Sequence, residues 1–225
     1  NCGTHYPKWM GQCSACNEWN TLIEEVIQNP KKIAIGLSKT QASSKPTKIQ
    51  DIDNTKNPRL NSKDEELNRV LGGGIVPGSL ILIGGEPGIG KSTLLLQISL
   101  FLNIKVLYVS GEESKQQIKR RANRINSSSQ SCYILNETNV ETIIQQINSI
   151  EPELIIIDSI QTLQTDTIES SPGSVSQIKE SASHFLKYAK KTNLPVVLVG
   201  HITKDGGIAG PKILEHMVDV VLNFE

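Results

Sequence analysis

Eight consecutive residues, Gly85-Glu86-Pro87-Gly88-Ile89-Gly90-Lys91-Ser92, constrain this chain more than any other stretch. They follow the pattern G-x-x-x-x-G-K-[ST] and stand between the aliphatic run Leu80–Gly84 and a helical stretch, Lys91–Leu102, that reads as amphipathic. Glycines at these places let backbone N–H groups turn inward around phosphate oxygens without Cβ clashes, and a helix beginning at Lys91 adds the positive end of its dipole. In that setting Lys91 faces the β- and γ-phosphates of ATP and Ser92 offers its hydroxyl to Mg²⁺. The expected cofactor-binding residues are therefore Gly85, Glu86, Pro87, Gly88, Ile89, Gly90, Lys91, Ser92 and Thr93. The plainer alternative is a glycine-rich strand-to-helix turn that binds nothing.

A strand–loop–helix of this kind belongs in an α/β fold, and the remaining sequence supplies one. Strand Lys105–Val109, a basic helix at Ser114–Arg124, strand Cys132–Leu135, helix Val140–Ile150 and strand Leu154–Asp158 follow in turn. After a long loop come helix Ser174–Thr192, strand Pro195–Gly200, a Gly-rich loop and strand Val218–Phe224. The alternation predicts a doubly wound, mostly parallel sheet. Aromatic residues are only 4% of the chain, so the core must be aliphatic. Ahead of the sheet, Ser62-x-x-Glu65 reads as a capping box for a short helix ending at Gly72.

Several polar residues fall where such a sheet would put its chemistry. Leu154-Ile155-Ile156-Ile157-Asp158 is aliphatic until its last residue, which delivers a carboxylate to the carboxyl edge as a Mg²⁺ ligand; an Asp that merely caps the next turn is the alternative. Glu112 and Glu113 follow the second strand directly and are candidates for orienting and deprotonating an attacking water. Ser110-x-x-Glu113 also fits a capping box for the basic helix, which uses Glu113 and leaves Glu112 as the preferred base. His201 is placed to sense a γ-phosphate and inform the loop behind it, unless it only satisfies a loop carbonyl. Lys204 and Lys212 on that loop are candidate DNA-phosphate contacts, or simply solvated lysines. The loop Ser159–Gly173 is long enough to be functional or disordered, and Lys115, Lys119, Arg120, Arg121 and Arg124 read as a solvated face.

The first residues differ in kind. Cys2, Cys13 and Cys16, the latter two as C-x-x-C, carry the spacing of a zinc ribbon within a module too small to fold by burial alone. One Zn²⁺ ligand is lacking, and His5 lies too near Cys2 to supply it; a cysteine before Asn1 is expected. A redox dithiol at Cys13 and Cys16 is the alternative. The chain opens on Asn1 rather than Met and ends on Glu225 directly behind an apolar run, so a fragment is expected. Residues 26–58 read as a polar linker with one apolar patch at Ile33–Leu37, which places the main domain at 59–225 and the cysteine module at 1–25. Cys132 reads as a small core residue without chemistry.

Charge excludes a global field. With 23 basic and 23 acidic residues the formal net charge is +0, so any nucleic-acid binding must be local, and nothing favours an anionic membrane. No apolar run approaches membrane-spanning length and no secretory leader opens the sequence, so the expected setting is the cytoplasm.

Taken together, these residues resemble the bacterial RadA (Sms) DNA-repair ATPases, RecA-fold proteins with an N-terminal zinc finger. The resemblance is carried by Pro7–Cys13 and Trp19–Leu22, Arg69–Gly74, the loop GGEPGIGKSTLLLQ, Tyr108–Ser114, Ile157–Thr162 and His201–Asp219. It implies a hexameric, DNA-stimulated ATPase that moves on single-stranded DNA and promotes branch migration of recombination intermediates with a RecA-type recombinase. It also implies ATP seated between subunits, strand Pro195–Gly200 lying between the phosphate-loop strand and the Asp158 strand, and the loops after Asp158 and His201 facing a central channel. A Lys-Asn-Arg-Phe-Gly motif and a Lon-protease-like domain of that family have no counterpart before Glu225, so ATP binding is expected to outlast turnover and ring assembly in this piece. Two other readings stay open: a KaiC-like regulatory ATPase or autokinase, and a non-enzymatic zinc-ribbon adaptor.

Overall fold

The computed structural model describes Gln12, Cys16 and residues 46–51, 58–125, 129–201 and 214–225. The chain divides into two units, Asn1–Lys39 and Thr40–Glu225, and the helices and sheet strands among the described residues all belong to the second. The expectations placed on Cys2, Cys13, Lys204, Lys212 and the patch at 33–37 fall outside the described residues, and Cys16 is exposed.

A short helix α1 (Glu65–Val70) precedes β1 (Leu80–Gly85), α2 (Lys91–Phe101), β2 (Val106–Ser110) and α3 (Lys115–Ile125). Then come β3 (Cys132–Asn136), α4 (Val140–Ile150), β4 (Leu154–Asp158), α5 (Val175–Thr192), β5 (Val196–His201) and β6 (Val220–Phe224). The six strands form one sheet in the order β3-β2-β4-β5-β1-β6, and every pairing is parallel. Strand β5 lies between β4 and β1, the position the resemblance implied.

Strands this apolar are suited to burial on both faces. Ile81, Ile83, Val106, Tyr108, Leu154, Ile156, Val197 and Val199 join one core with residues of α1, α2 and α3. Their alternates Leu80, Leu82, Leu107, Val109, Ile155, Ile157 and Leu198 are equally buried and point to the opposite face, where the buried residues of α4 and α5 supply the cover.

Three local readings are corrected. The cap of α1 is Asp64, whose side chain accepts the Leu67 N–H, while Ser62 is buried and bonded to the Asn68 side chain and the Asp64 carbonyl. Position 64 is one residue before the helix, where an acceptor meets the orphan N–H groups; Ser62 lies too early. Of the second box only half is present: the Ser110 hydroxyl accepts the Glu113 N–H, but α3 starts at Lys115 and the Gln117 N–H meets the Ser114 hydroxyl. Helix α2 is not amphipathic: its apolar residues are spread around the helix rather than confined to one face, and it packs on α3 as well as on the sheet.

Candidate nucleotide site

Parallel strands end at one edge, and register brings the candidates there: Gly85 pairs with His201, and Ser110 with Asp158. Residues Glu86, Pro87, Gly88 and Ile89 stand exposed between β1 and α2. Gly88 and Gly90 take φ of 81° and 121°, a conformation that side chains rarely adopt. Gly90 caps α2 without a side-chain bond, so the N–H groups of Lys91 and Ser92 have no intrahelical acceptor. Lys91 is 3% exposed, and its Nζ donates to the carbonyl oxygens of Gly85 at 2.7 Å and Glu86 at 2.8 Å. Burial pushes its pKa down, against the upward pull of the Asp158 and Glu112 carboxylates.

Asp158 is 6% exposed at the end of β4, and its Oδ2 accepts the Tyr108 hydroxyl at 2.6 Å. The same hydroxyl lies 3.4 Å from the Ser92 carbonyl oxygen, so the phosphate-loop helix and the Asp158 strand meet at one phenol. Burial, with the charge and hydrogen bond of Asp158 added, holds the Tyr108 pKa well above its ordinary value.

The two glutamates diverge. Glu113 pairs with Arg121, its N–H meets the Ser110 hydroxyl at 3.1 Å, and its carbonyl accepts from Asn136. Arg121 is thus committed to an ion pair, which corrects its reading as part of a solvated face. Glu112 accepts the Ser159 hydroxyl at 2.6 Å and lies 3.4 Å from Nε2 of His201. Its segment is pressed close to the turn behind β4, because Gly111 donates to the Asp158 carbonyl at 3.1 Å and a Cβ on it would collide with the Thr162 side chain. Gln161 donates to the His201 carbonyl at 3.3 Å. A cleft of about 560 Å³ at the ends of β2 and β3 is lined in part by Glu112 and Glu113. A cleft of about 700 Å³ at the opposite edge, between Pro58, Tyr188 and Pro195, holds none of the candidates.

The donor set suits Mg²⁺·ATP. A hydroxyl and a carboxylate are the hard oxygen ligands that Mg²⁺ takes, the remainder being water and phosphate. Among the described residues no cage of three or more His, Cys, Asp or Glu exists, and such a site needs none.

Tyr108, Ser159, Gln161 and Thr162 lie in stretches that carry the family resemblance but were given no role from sequence. The signal for Tyr108 was there: a tyrosine in an aliphatic strand must find a partner for its hydroxyl. Cys132 is half-buried against the core, and burial pushes its pKa up to about 11, in keeping with a cysteine that packs.

A lysine-bearing phosphate loop separated by one intervening strand from an acid-tipped strand, in an all-parallel sheet, marks the RecA-like class of P-loop domains. The AAA domain family model matches residues 43–207, and a rubredoxin metal binding domain model matches residues 1–24. The DNA repair protein RadA of Halalkalibacterium halodurans is 50% identical over the whole of this chain, which covers 50% of that protein. Those of Bacillus subtilis and Listeria monocytogenes are 48% identical, with the same coverage. A crystal structure of a KaiC-like protein from Pyrococcus horikoshii OT3 matches with a TM-score of 0.60 at 18% identity, covering 74% of this chain and 81% of that one. The chain belongs to the AAA domain family, and over its whole length it is similar to RadA proteins. It spans about half the length of the curated relatives it matches.

Proposed function

We propose that this chain carries the ATP-hydrolysing part of a DNA-repair motor, which moves on single-stranded DNA and promotes branch migration of recombination intermediates alongside a RecA-type recombinase. The observation that supports it is the convergence of Lys91, Asp158, Glu112 and His201 on one sheet edge. Lys91 exchanges two loop carbonyls for phosphate oxygens, and the first N–H groups of α2 join it. Ser92 and Asp158 hold Mg²⁺, which when bound neutralises charge on the phosphates. Glu112 orients and deprotonates water; Glu113, already tied to Arg121, is the lesser candidate. His201, beside Glu112, senses the terminal phosphate.

By the similarity to RadA proteins, the working assembly is a homohexamer, Lys204 and Lys212 contact DNA, and Cys2, Cys13 and Cys16 bind Zn²⁺ with one further ligand. The domains run 1–25, 26–58 and 59–225. A cytoplasmic setting accords with the absence, among the described residues, of any helix long and apolar enough to cross a membrane. The test is ATP hydrolysis by a full-length protein with and without single-stranded DNA across a salt series. Turnover rises with DNA, and the stimulation fades as salt releases the phosphate contacts. Hydrolysis indifferent to DNA at every salt concentration defeats the reading. A KaiC-like regulatory role would show instead as phosphate transferred from ATP to the protein itself.

A further inference from the structure

We propose that Tyr108 is a positioning residue for Mg²⁺, its phenol presetting the Asp158 carboxylate beside the helix that carries Ser92. This rests on the reading of Asp158 and Ser92 as the metal's protein contacts. Tyr108 sits in mid-strand with its ring fully buried among aliphatic side chains. A hydroxyl has one proton to donate, and the 2.6 Å contact to Asp158 Oδ2 takes it; the Ser92 carbonyl at 3.4 Å is the looser neighbour. A phenol is protonated at neutral pH, so it stays a donor.

The consequence is geometric. Asp158 is almost out of reach of solvent, so water does little to fix its orientation. With Oδ2 engaged by the phenol, Oδ1 is left for the metal, and the carboxylate's rotational freedom is spent before any ion arrives. A tyrosine kept only to fill the core would need its ring and not its hydroxyl.

Tyr108→Phe separates the two roles, because it keeps the ring. Affinity for a non-hydrolysable ATP analogue in EDTA is expected to stay within about twofold, while the Mg²⁺ concentration that half-maximally tightens its binding rises about tenfold. A folded variant whose Mg²⁺ half-saturation stays within about twofold of the parent overturns the proposal. Asp158→Asn is titrated alongside. If it raises the half-saturation and Tyr108→Phe does not, Tyr108 alone loses its role; if neither moves it, the metal assignment falls and takes the proposal with it. Should the phenylalanine variant not fold, a ring-fluorinated tyrosine at 108, a stronger donor of nearly the same shape, enters the same titration. A shift of about twofold or more then supports the proposal, and an unchanged value overturns it.

Discussion

Two loops leave the same sheet edge and are held by opposite means. The loop from β1 to α2 is exposed, shaped by left-handed glycines and ended by a helix terminus. The loop of residues 159–173 is fastened from beneath by buried polar side chains drawn from other elements. Gln177 of α5 accepts the Thr165 N–H at 2.8 Å and donates to the carbonyls of Thr165, Ile168 and Ser170. Glu141 of α4 accepts the Thr165 hydroxyl. A loop open to a phosphate must keep its N–H groups free, so backbone conformation has to shape it. A loop that aims Ser159 at Glu112 and Gln161 at His201 can be clamped from behind.

The comparison breaks most visibly at Lys91. Lys91→Ala removes the one long side chain in the first loop that its backbone does not replace. Nucleotide affinity by calorimetric titration is expected to fall about hundredfold, the scale of lost charge-assisted hydrogen bonds, while the melting temperature changes little, relief of the buried charge offsetting the two carbonyls left without their donor. A variant that binds as the parent does would mean that the glycine loop suffices alone.

Gln177→Ala is the counterpart for the second loop. It strands the Thr165 N–H and three carbonyls, and about 2 kcal/mol of stability by denaturant unfolding is expected to go with them. Nucleotide affinity stays within about twofold, because no Gln177 contact reaches the phosphate loop. Equal losses of affinity from both variants would show that the loops are one unit.

The same contrast explains what was legible in the sequence. The phosphate loop, the acid-tipped β4 and the helix Val140–Ile150 are written in local patterns: spaced glycines, an apolar run, a helical period. Strand order emerged only through family resemblance, since periodicity says nothing of which strands adjoin. The clamp was illegible, because Gln177 and Glu141 look like ordinary helix residues until the fold brings Thr165 to them. The same holds for Glu112 against Glu113. Favouring Glu112 rested on a capping box of which only the Ser110 half forms; what separates the pair is an arginine eight residues further on and a serine from another strand's end.

The smallest test lies at the other end of β1. There a side chain does the anchoring: Asp219 accepts the Leu80 N–H at 2.8 Å and two contacts from Lys190 Nζ at 2.6 and 2.7 Å. Burial raises its pKa, but the Lys190 hydrogen bonds, the Leu80 N–H and the Lys190 charge outweigh it, and the net direction is down from 3.8. A carboxyl whose folded pKa lies below its unfolded one adds stability in full above the unfolded value, and that stability is lost as pH falls through the folded one. Asp219→Asn is therefore expected to cost a few tenths of a kcal/mol, roughly the worth of a half-exposed pair, at pH 7, and progressively less below about pH 4. Chemical denaturation at pH 7 and pH 3 measures both. Nucleotide affinity is expected to hold, since the anchor fixes the strand's amino end and glycine geometry shapes its loop; a loss there would show that the first loop, too, depends on side chains from a distance.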